Sequence, residues 1–394
     1  MSAYRLSGGL LITPQGIEAR DLLIKNGTID AVIDPTVQAS NDYKPVDCGG
    51  CYVSPGFVDI HQHGGGGSDY MDDDGDAYLH ATEAHLRCGT TSLLPTLTSA
   101  SGSILLSSIR RFKAAEKDTR IRANILGLHI EGPYVSPHQA GAQPPEHIRQ
   151  FDENEYRSAF ELAEGSIRRW SVAPELEGAD RFAEFARANN ITLSIAHSNA
   201  DLDTVRRAYD MGYRHITHFY SCCSTITRRG GFRVPGVLEA GYLIDGMDIE
   251  IIADGCHLPR SLLQFVTKFK PTQHIALITD SMRAAGQQTD RSFLGSMSDP
   301  LPVIVEDGVA KLTDRSAFAG SVATSDRLLR TMLQSGTDIC TAVRMLTVNP
   351  LRQMNLNVKK GIIKQGYDAD LCVFDKDINI RQVIVNGEPV LWTK

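Results

Sequence analysis

The chain has 394 residues, of which 42% are hydrophobic and 22% charged, a globular composition that can bury a large core. Its formal net charge of −7 excludes a general nucleic-acid binder, which needs a basic face, but not a site for one phosphate. A (β/α)₈ barrel takes roughly 250 residues, so the length allows an accessory module beside one.

The N-terminus and the cysteines indicate a cytoplasmic protein. MSAYRLSGGLLITPQG has no basic segment followed by an apolar run, and no apolar run approaches the ~20 residues needed to cross a bilayer. Among eight scattered cysteines, Cys222 and Cys223 are adjacent rather than spaced as in a zinc ribbon or a redox motif. We therefore expect reduced thiols, a cytoplasmic location and no membrane partner.

Short β-like segments at both ends of the chain predict one small sheet domain built from the two termini. The N-terminal segments are GGLLIT, DLLIKNG and DAVID, and the C-terminal segments are ADLCVFD and RQVIVNGEPV, with Gly, Asn and Pro turn signals between them. We expect residues 1–54 and 355–394 to form this domain and residues 55–354 to form the catalytic domain.

The middle of the chain alternates strand-like runs with helical patterns. The eight strand candidates are GFVDIH, TSLLPT, NILGLHI, RRWSVAP, ITLSIAH, RHITH, IEIIAD and HIALITD, and amphipathic segments such as DLDTVRRAYDMG follow most of them. Eight alternating units predict a closed (β/α)₈ barrel, with a doubly wound open sheet as the alternative.

The positions of the polar residues favour the barrel, because six metal-ligand types lie at strand ends. All strands of a barrel end at one face, where active sites lie, whereas an open sheet would spread these residues along an edge. Burying so many imidazoles and acids together without a metal or mutual pairing would be costly. The residues are His61, His63, Glu131, His197, His218 and Asp280.

Each of these residues also has an ordinary structural interpretation. An H-x-H pair such as His61 and His63 occurs by chance, although residues two apart on a strand face the same side. A histidine on an apolar strand is more often a satisfied core residue, and Glu131 could pair with a core arginine. Asp280 could cap a helix, ligate a metal, or act as general base and then proton donor. Nitrogen and carboxylate ligands together favour Zn²⁺, with Fe²⁺, Mn²⁺ and Co²⁺ as alternatives.

Taken together, these motifs resemble the N-acetylglucosamine-6-phosphate deacetylases of the amidohydrolase superfamily. The matching segments run in the same order along nearly the whole chain. They are PGFVDIHQHGGGG, GLHIEGPYVSPHQAGAQPPEHI, VAPELEG, SIAHSNA, HITHFY, IIADGCHL, LITDSMRAAG, FAGSVATSD and GIIKQGYDADLCVFD.

The resemblance implies a TIM-like barrel with a small β-sandwich from both chain ends, commonly as a homodimer. It implies metal ligands at Glu131, His197 and His218 and a catalytic aspartate at Asp280. Because His61 and His63 are present, a second ion is available, with Glu131 as a candidate bridge. The implied reaction is hydrolysis of an N-acetyl amino sugar phosphate to acetate and the amino sugar phosphate.

The sequence departs from the family pattern where the resemblance implies substrate contacts. Gln143 replaces a histidine, and Ser221, Cys222 and Cys223 replace Asn-Ala-Met. The phosphate-binding arginine aligns with Arg233 or, alternatively, with Arg229, and is expected to reach across the dimer interface. His257 is expected to complete the site. A solvated basic loop is the structural alternative for both arginines.

Two other functions stay open at this point. One is another amidohydrolase reaction, on a different N-acyl or cyclic amide substrate or by deamination. Val172, Ala173 and Pro174 at the end of the fourth strand count against dihydroorotase-like enzymes, which have a lysine there. The other is a sugar-phosphate-binding protein without activity, against which the presence of Asp280 and all metal histidines counts.

Overall fold

A computed structural model describes residues 3–392 and confirms the expected TIM-like barrel. The alternation of strand and helix follows the alternation of short apolar runs and amphipathic segments in the sequence. The eight barrel strands, named here β1 to β8, are Phe57–Gln62, Thr90–Leu97, Leu128–Glu131, Ile167–Val172, Thr192–Ile195, His215–Ile216, Asp248–Ile252 and Ile275–Ile278.

The barrel strands are parallel and lie in chain order around the barrel. From β1 to β8 each strand pairs with the next. Between β8 and β1 the ladder is reduced to an isolated bridge between Gln62 and Ser281, beside which the amide of Asp280 donates to the carbonyl of His61 over 2.9 Å. The barrel is therefore nearly closed, and the open sheet is excluded.

One α-helix follows each barrel strand. Their apolar faces cover the outside of the barrel, as the buried residues of the core show. In order, these helices are Ala77–Leu86, Gly102–Ala115, Glu153–Ala163, Ala179–Ala188, Leu202–Asp210, Val237–Leu243, Arg260–Phe269 and Ser325–Gln334. Two further helices, Ile339–Met345 and Val348–Gln353, follow the last of these in the chain. None of the helices within residues 3–392 is long and apolar enough to span a membrane.

Strands from both chain ends form two sheets that pack on a common core. One sheet has the order Thr28–Ile33, Asp21–Lys25, Ala3–Ser7 and Lys44–Asp47; the other has the order Glu388–Trp392, Ile380–Val385, Leu371–Phe374, Tyr52–Pro55, Leu10–Thr13 and Gly16–Ala19. Leu6, Ile24, Val53 and Leu371 are among the residues of their shared core. The sandwich from both termini is therefore confirmed, while its boundaries at residues 54 and 355 stay a prediction.

The cysteines are not all scattered as expected, because Cys48 and Cys51 have a C-x-x-C spacing. They lie at a turn of the small domain, where the amide of Cys51 donates to the carbonyl of Cys48 over 3.0 Å. All eight cysteines are free thiols in this structure.

Short strands form in the loops at the carboxyl ends of two barrel strands. A hairpin of Thr227–Arg229 and Phe232–Val234 follows β6, and a three-stranded sheet of Arg291–Leu294, Leu301–Glu306 and Val309–Leu312 follows β8. Loops at this end of a barrel surround the active site, so both loops are placed to shape it.

Candidate metal centre and active site

The six strand-end residues predicted from the sequence meet at the carboxyl end of the barrel. They form two groups of potential ligand atoms, and within each group these atoms lie within 4.8 Å of one another. The first group is Glu131, His197 and His218, and the second is His61, His63 and Asp280. All six residues are buried.

Glu131 lies between the two groups and presents one oxygen to each. Oε1 is 2.9 Å from Nε2 of His218 and 3.0 Å from Nε2 of His197. Oε2 is 3.3 Å from Nε2 of His63 and 3.7 Å from Nε2 of His61. Asp280 closes the second group, with Oδ1 3.2 Å from Nε2 of His63 and 3.5 Å from Nε2 of His61.

The outer nitrogens of two histidines are held by backbone carbonyls. Nδ1 of His197 donates to the carbonyl of Gln139 over 2.8 Å, and Nδ1 of His218 donates to the carbonyl of Ser221 over 3.1 Å. A neutral ring that donates from Nδ1 has a lone pair on Nε2, and such a second partner is typical of metal-ligating histidines.

The arrangement fits a cation. The two Nε2 atoms of His197 and His218 lie 3.2 Å apart and both face a carboxylate oxygen, so their lone pairs repel unless positive charge lies between them. Nε2 of His61 makes no hydrogen bond within the described part of the chain, although its ring is fully buried. Imidazole nitrogens and carboxylate oxygens form the ligand set of Zn²⁺ and related divalent ions.

The ionisation of the acids follows from these contacts. Burial opposes the ionisation of Glu131, but His61, His197 and His218 hold its pKa well below the usual value. Burial likewise opposes the ionisation of Asp280, and His61 and His63 lower its pKa. Both side chains are therefore carboxylates, able to bind a cation or accept a proton.

The pKa values of the imidazoles in the second group are raised, whereas those of the acids are lowered. Burial opposes protonation of His61, but Asp280, Glu250 and Glu131 raise its pKa to about 9. Burial also opposes protonation of His63, but hydrogen bonds to Asp280 and Glu131 raise its pKa to about 10. Without a cation, protons supply the positive charge that this cluster requires.

Three of the six residues have a left-handed backbone. His197, His218 and Asp280 have φ angles of +44°, +28° and +46°, in the left-handed region that side chains rarely occupy. Such residues are found mainly at functional sites, where the surrounding structure holds them. Here the turn at each strand end directs the side chain into the barrel mouth.

A cavity of ≈ 230 Å³ opens at the carboxyl end of the barrel, lined by all of the six residues except His61. Its walls include four residues for which the resemblance implied substrate contacts, namely Gln143, Ser221, Cys222 and His257. The sheet inserted after β8 contributes Leu294, and Ala317 and Phe318 beyond it also line the wall.

Gln143 is engaged with the metal cluster itself. Its amide nitrogen donates to Oε2 of Glu131 over 3.1 Å, while its amide oxygen accepts from the hydroxyl of Thr98 and the amide of Ser99. Thr98 was not singled out from the sequence, since a threonine after a strand carries no specific signal.

The other wall residues are held in different ways. His257 donates from Nδ1 to Oδ2 of Asp254 over 2.8 Å, which leaves Nε2 for the cavity. Cys222 packs against Gly141, where an added Cβ would lie only 2.5 Å from the sulfur. The loop that carries Gln143 can therefore approach Cys222 only because residue 141 is glycine.

The two candidate phosphate-binding arginines lie outside this cavity. Arg229 is exposed in the hairpin and forms an ion pair of 3.1 Å with Asp201, and Arg233 donates to the carbonyl of Gly231 at its tip. Among the described residues, no arginine or lysine lines the cavity. The tip residue Phe232 is 79% exposed, which is unusual for a phenylalanine on a single chain.

Comparison with known proteins gives consistent results over the whole chain. The model of the amidohydrolase family matches residues 52–390. An N-acetylglucosamine-6-phosphate deacetylase from Bacillus subtilis (strain 168) is 31% identical over 404 residues, covering 99% of each chain. An N-acetylgalactosamine-6-phosphate deacetylase from Escherichia coli O157:H7 is 28% identical, covering 96% of this chain and 97% of that protein.

A solved structure of an enzyme with the same kind of activity as these relatives is also similar to this chain. It is a mutant of the N-acetyl-D-glucosamine-6-phosphate deacetylase from Mycobacterium smegmatis, in complex with N-acetyl-D-glucosamine-6-phosphate. The TM-score is 0.90 at 28% identity, covering 99% of this chain and 100% of that one.

Proposed function

The chain belongs to the amidohydrolase family, and we propose that it hydrolyses the acetamide of an N-acetylated amino sugar 6-phosphate, releasing acetate and the amino sugar phosphate. N-acetylglucosamine 6-phosphate is the first candidate substrate, and the galactosamine isomer is the second. The observation that carries the proposal is the position of Glu131 between two groups of ligands, with Asp280 at the same cavity.

We propose that the six clustered side chains hold one or two divalent ions, with Zn²⁺ as the first candidate. Glu131, His197 and His218 would hold the first, and His61, His63 and Asp280, with the second oxygen of Glu131, would hold the other. A divalent cation in such a site polarises an amide carbonyl and lowers the pKa of water.

Asp280 is proposed to move the proton. Its carboxylate is ionised and lines the cavity, so it can accept a proton from the water that attacks the acetyl carbon. As the C–N bond breaks, the same group can return that proton to the sugar amine. The left-handed backbone at Asp280 and the hydrogen bond from its amide to the carbonyl of His61 fix its position for both steps.

The phosphate end of the substrate is proposed to lie near His257, Ser221 and Cys222. Because no arginine or lysine of the described chain lines this cavity, we propose that a cation from elsewhere balances the charge of the phosphate. We propose a homodimer in which the hairpin of one subunit places Arg233 or Arg229 in the cavity of its partner. The exposed Phe232 at the hairpin tip supports such a contact, since it would be covered there.

A cytoplasmic location is also part of the proposal. It is supported by the eight free thiols, which a reducing compartment preserves.

The decisive experiment is an acetate-release assay after reconstitution with Zn²⁺. The substrates are N-acetylglucosamine and N-acetylgalactosamine, each with and without a 6-phosphate, and chelator-treated protein is the control. We expect the loaded protein to release acetate faster from the phosphorylated sugars than from the unphosphorylated ones, and the chelator-treated protein to release none. If no substrate releases acetate although the protein holds metal, the proposed activity is wrong.

A further inference from the structure

A buried ion pair that the proposed reaction does not use lies beneath His61. Glu250 on β7 and Arg169 on β4 are both fully buried inside the barrel. Oε1 of Glu250 pairs with Nη1 of Arg169, and Oε2 of Glu250 lies 3.4 Å from Nδ1 of His61. A chain of contacts therefore runs from the middle of the barrel to the metal cluster.

Arg169 is itself fixed in position. Its Nη2 atom donates to the hydroxyl of Thr217 over 2.8 Å and to that of Ser194 over 3.2 Å. Barrel interiors are usually filled with branched apolar side chains, and a buried ion pair is at best neutral compared with such packing. The pair is therefore not explained by stability alone.

The contact with Glu250 determines how His61 can act. A carboxylate beside Nδ1 keeps a proton on that nitrogen, so in the neutral ring that binds a cation the lone pair of His61 is on Nε2, which faces Asp280 and Glu131. Carboxylate support of this kind orients a metal-ligating histidine and strengthens its basicity.

The two ligand groups differ in this support. The Nδ1 atoms of His197 and His218 donate to backbone carbonyls, which are present whatever the local side chains are. The support of His61 depends on two particular side chains. A substitution at Glu250 can therefore weaken the second group while the first is left intact.

We infer that Glu250, held by Arg169, is a positioning residue for His61 that enables His61, His63 and Asp280 to bind a second divalent ion. The inference rests on the part of the proposed function that gives these clusters divalent ions. It adds that occupancy of the second site is set from inside the barrel, by residues that touch neither substrate nor metal.

The test measures the number of bound ions per chain and their affinity rather than the activity. Wild-type protein and the Glu250→Gln variant are loaded with Zn²⁺, dialysed, and measured by elemental analysis, and the affinity of each ion is determined by titration. We expect two ions per wild-type chain and one per variant chain, with the affinity for the second ion reduced about 10- to 100-fold. The first ion should bind as in the wild type.

Two further variants separate positioning from folding. Asp248→Asn changes an acid on the same strand that pairs with His274 and Arg352 instead, and it should keep both ions. The double variant Glu250→Gln with Arg169→Met removes both members of the ion pair, so no charge is left unpaired, and it should lose the second ion like the single variant.

Full retention of two ions by Glu250→Gln, at wild-type affinity, would overturn the inference. Uptake of only one ion by the wild-type protein would also overturn the inference. If that protein still released acetate, the proposed function would stand. Wild-type protein with two ions and no acetate release would contradict the proposed function alone, and the ion counts of the variants would still decide the inference.

Discussion

Gln143 donates a hydrogen bond of 3.1 Å to Oε2 of Glu131, the carboxylate that lies between the two ligand groups. Its amide oxygen is occupied as well, by Thr98 and Ser99. In this conformation the side chain orients Glu131, whereas the family resemblance implied a contact with substrate. The two roles predict different consequences of substitution.

Replacing Gln143 with Leu should lower metal affinity. The leucine cannot donate to Glu131, and loss of such a supporting hydrogen bond typically costs about 10- to 100-fold in metal affinity or activity. Zinc titration against the wild type measures the effect. If metal affinity is unchanged and only KM rises, Gln143 contacts the substrate rather than the carboxylate.

Replacing Asp280 with Asn should nearly abolish turnover. The amide cannot accept the proton from water, and loss of a general acid–base group costs about 10²- to 10⁴-fold in rate. The ion at Glu131, His197 and His218 should remain, which elemental analysis checks. Asp21→Asn is the matched control, since Asp21 is a buried acid in the small domain, paired with Arg5, and its loss should not affect kcat. Turnover by Asp280→Asn at more than a tenth of the wild-type rate would contradict the assigned role.

The sequence was sufficient to predict the barrel and the convergence of six residues. Each barrel strand is a short apolar run, and parallel strands end at one face, so a polar residue directly after such a run has a predictable position. Glu250 gave no such signal. It lies inside the run IEIIAD, and whether a residue within a strand faces the interior or the helices depends on the strand's orientation in the barrel.

The contacts of individual side chains could not be predicted from the sequence either. Gln143 lies in a loop without regular structure, so its acceptor could not be deduced from spacing. The resemblance implied that Arg229 or Arg233 binds the phosphate, with a solvated basic loop as the alternative, and the structure of one chain leaves both arginines outside the cavity. In the proposed homodimer, they would reach the phosphate only in the cavity of the partner subunit.

Arg229→Ala and Arg233→Ala should identify the phosphate contact. The variant that loses this contact should show a higher KM for the 6-phosphorylated sugar and little change for the unphosphorylated one. Arg206→Ala, an exposed arginine on the helix after β5, is the control. Equal effects on both substrates would remove the phosphate assignment.

Mixing subunits should show whether that arginine acts across the interface. Neither Asp280→Asn nor the critical arginine variant should turn over substrate well alone. In a mixed dimer, however, the subunit with intact Asp280 receives an intact arginine from its partner, so activity should return after the two proteins are unfolded and refolded together. If the arginine acts within its own chain, no site has both groups and the mixture should stay inactive.

Stability should depend on pH through His85, which is fully buried and donates from Nε2 to the carbonyl of Gly64 over 2.9 Å. Burial lowers the pKa of His85 from 6.5 to about 4. Between pH 6.5 and 4 the unfolded chain therefore binds a proton at this residue that the folded chain does not, so acidification through this window favours unfolding. The lost stability amounts to about 3 kcal/mol.

Urea unfolding of metal-free protein between pH 4 and 8 measures this effect without a contribution from ion release. The free energy of unfolding of the wild type should fall more steeply below pH 6.5 than that of His85→Gln, and the two slopes should agree above that pH. The same substitution at the exposed His138 controls for the loss of one histidine. Parallel curves for the wild type and His85→Gln over the whole range would mean that His85 is equally easy to protonate in the folded and unfolded chains, and that its burial carries no pH-dependent cost.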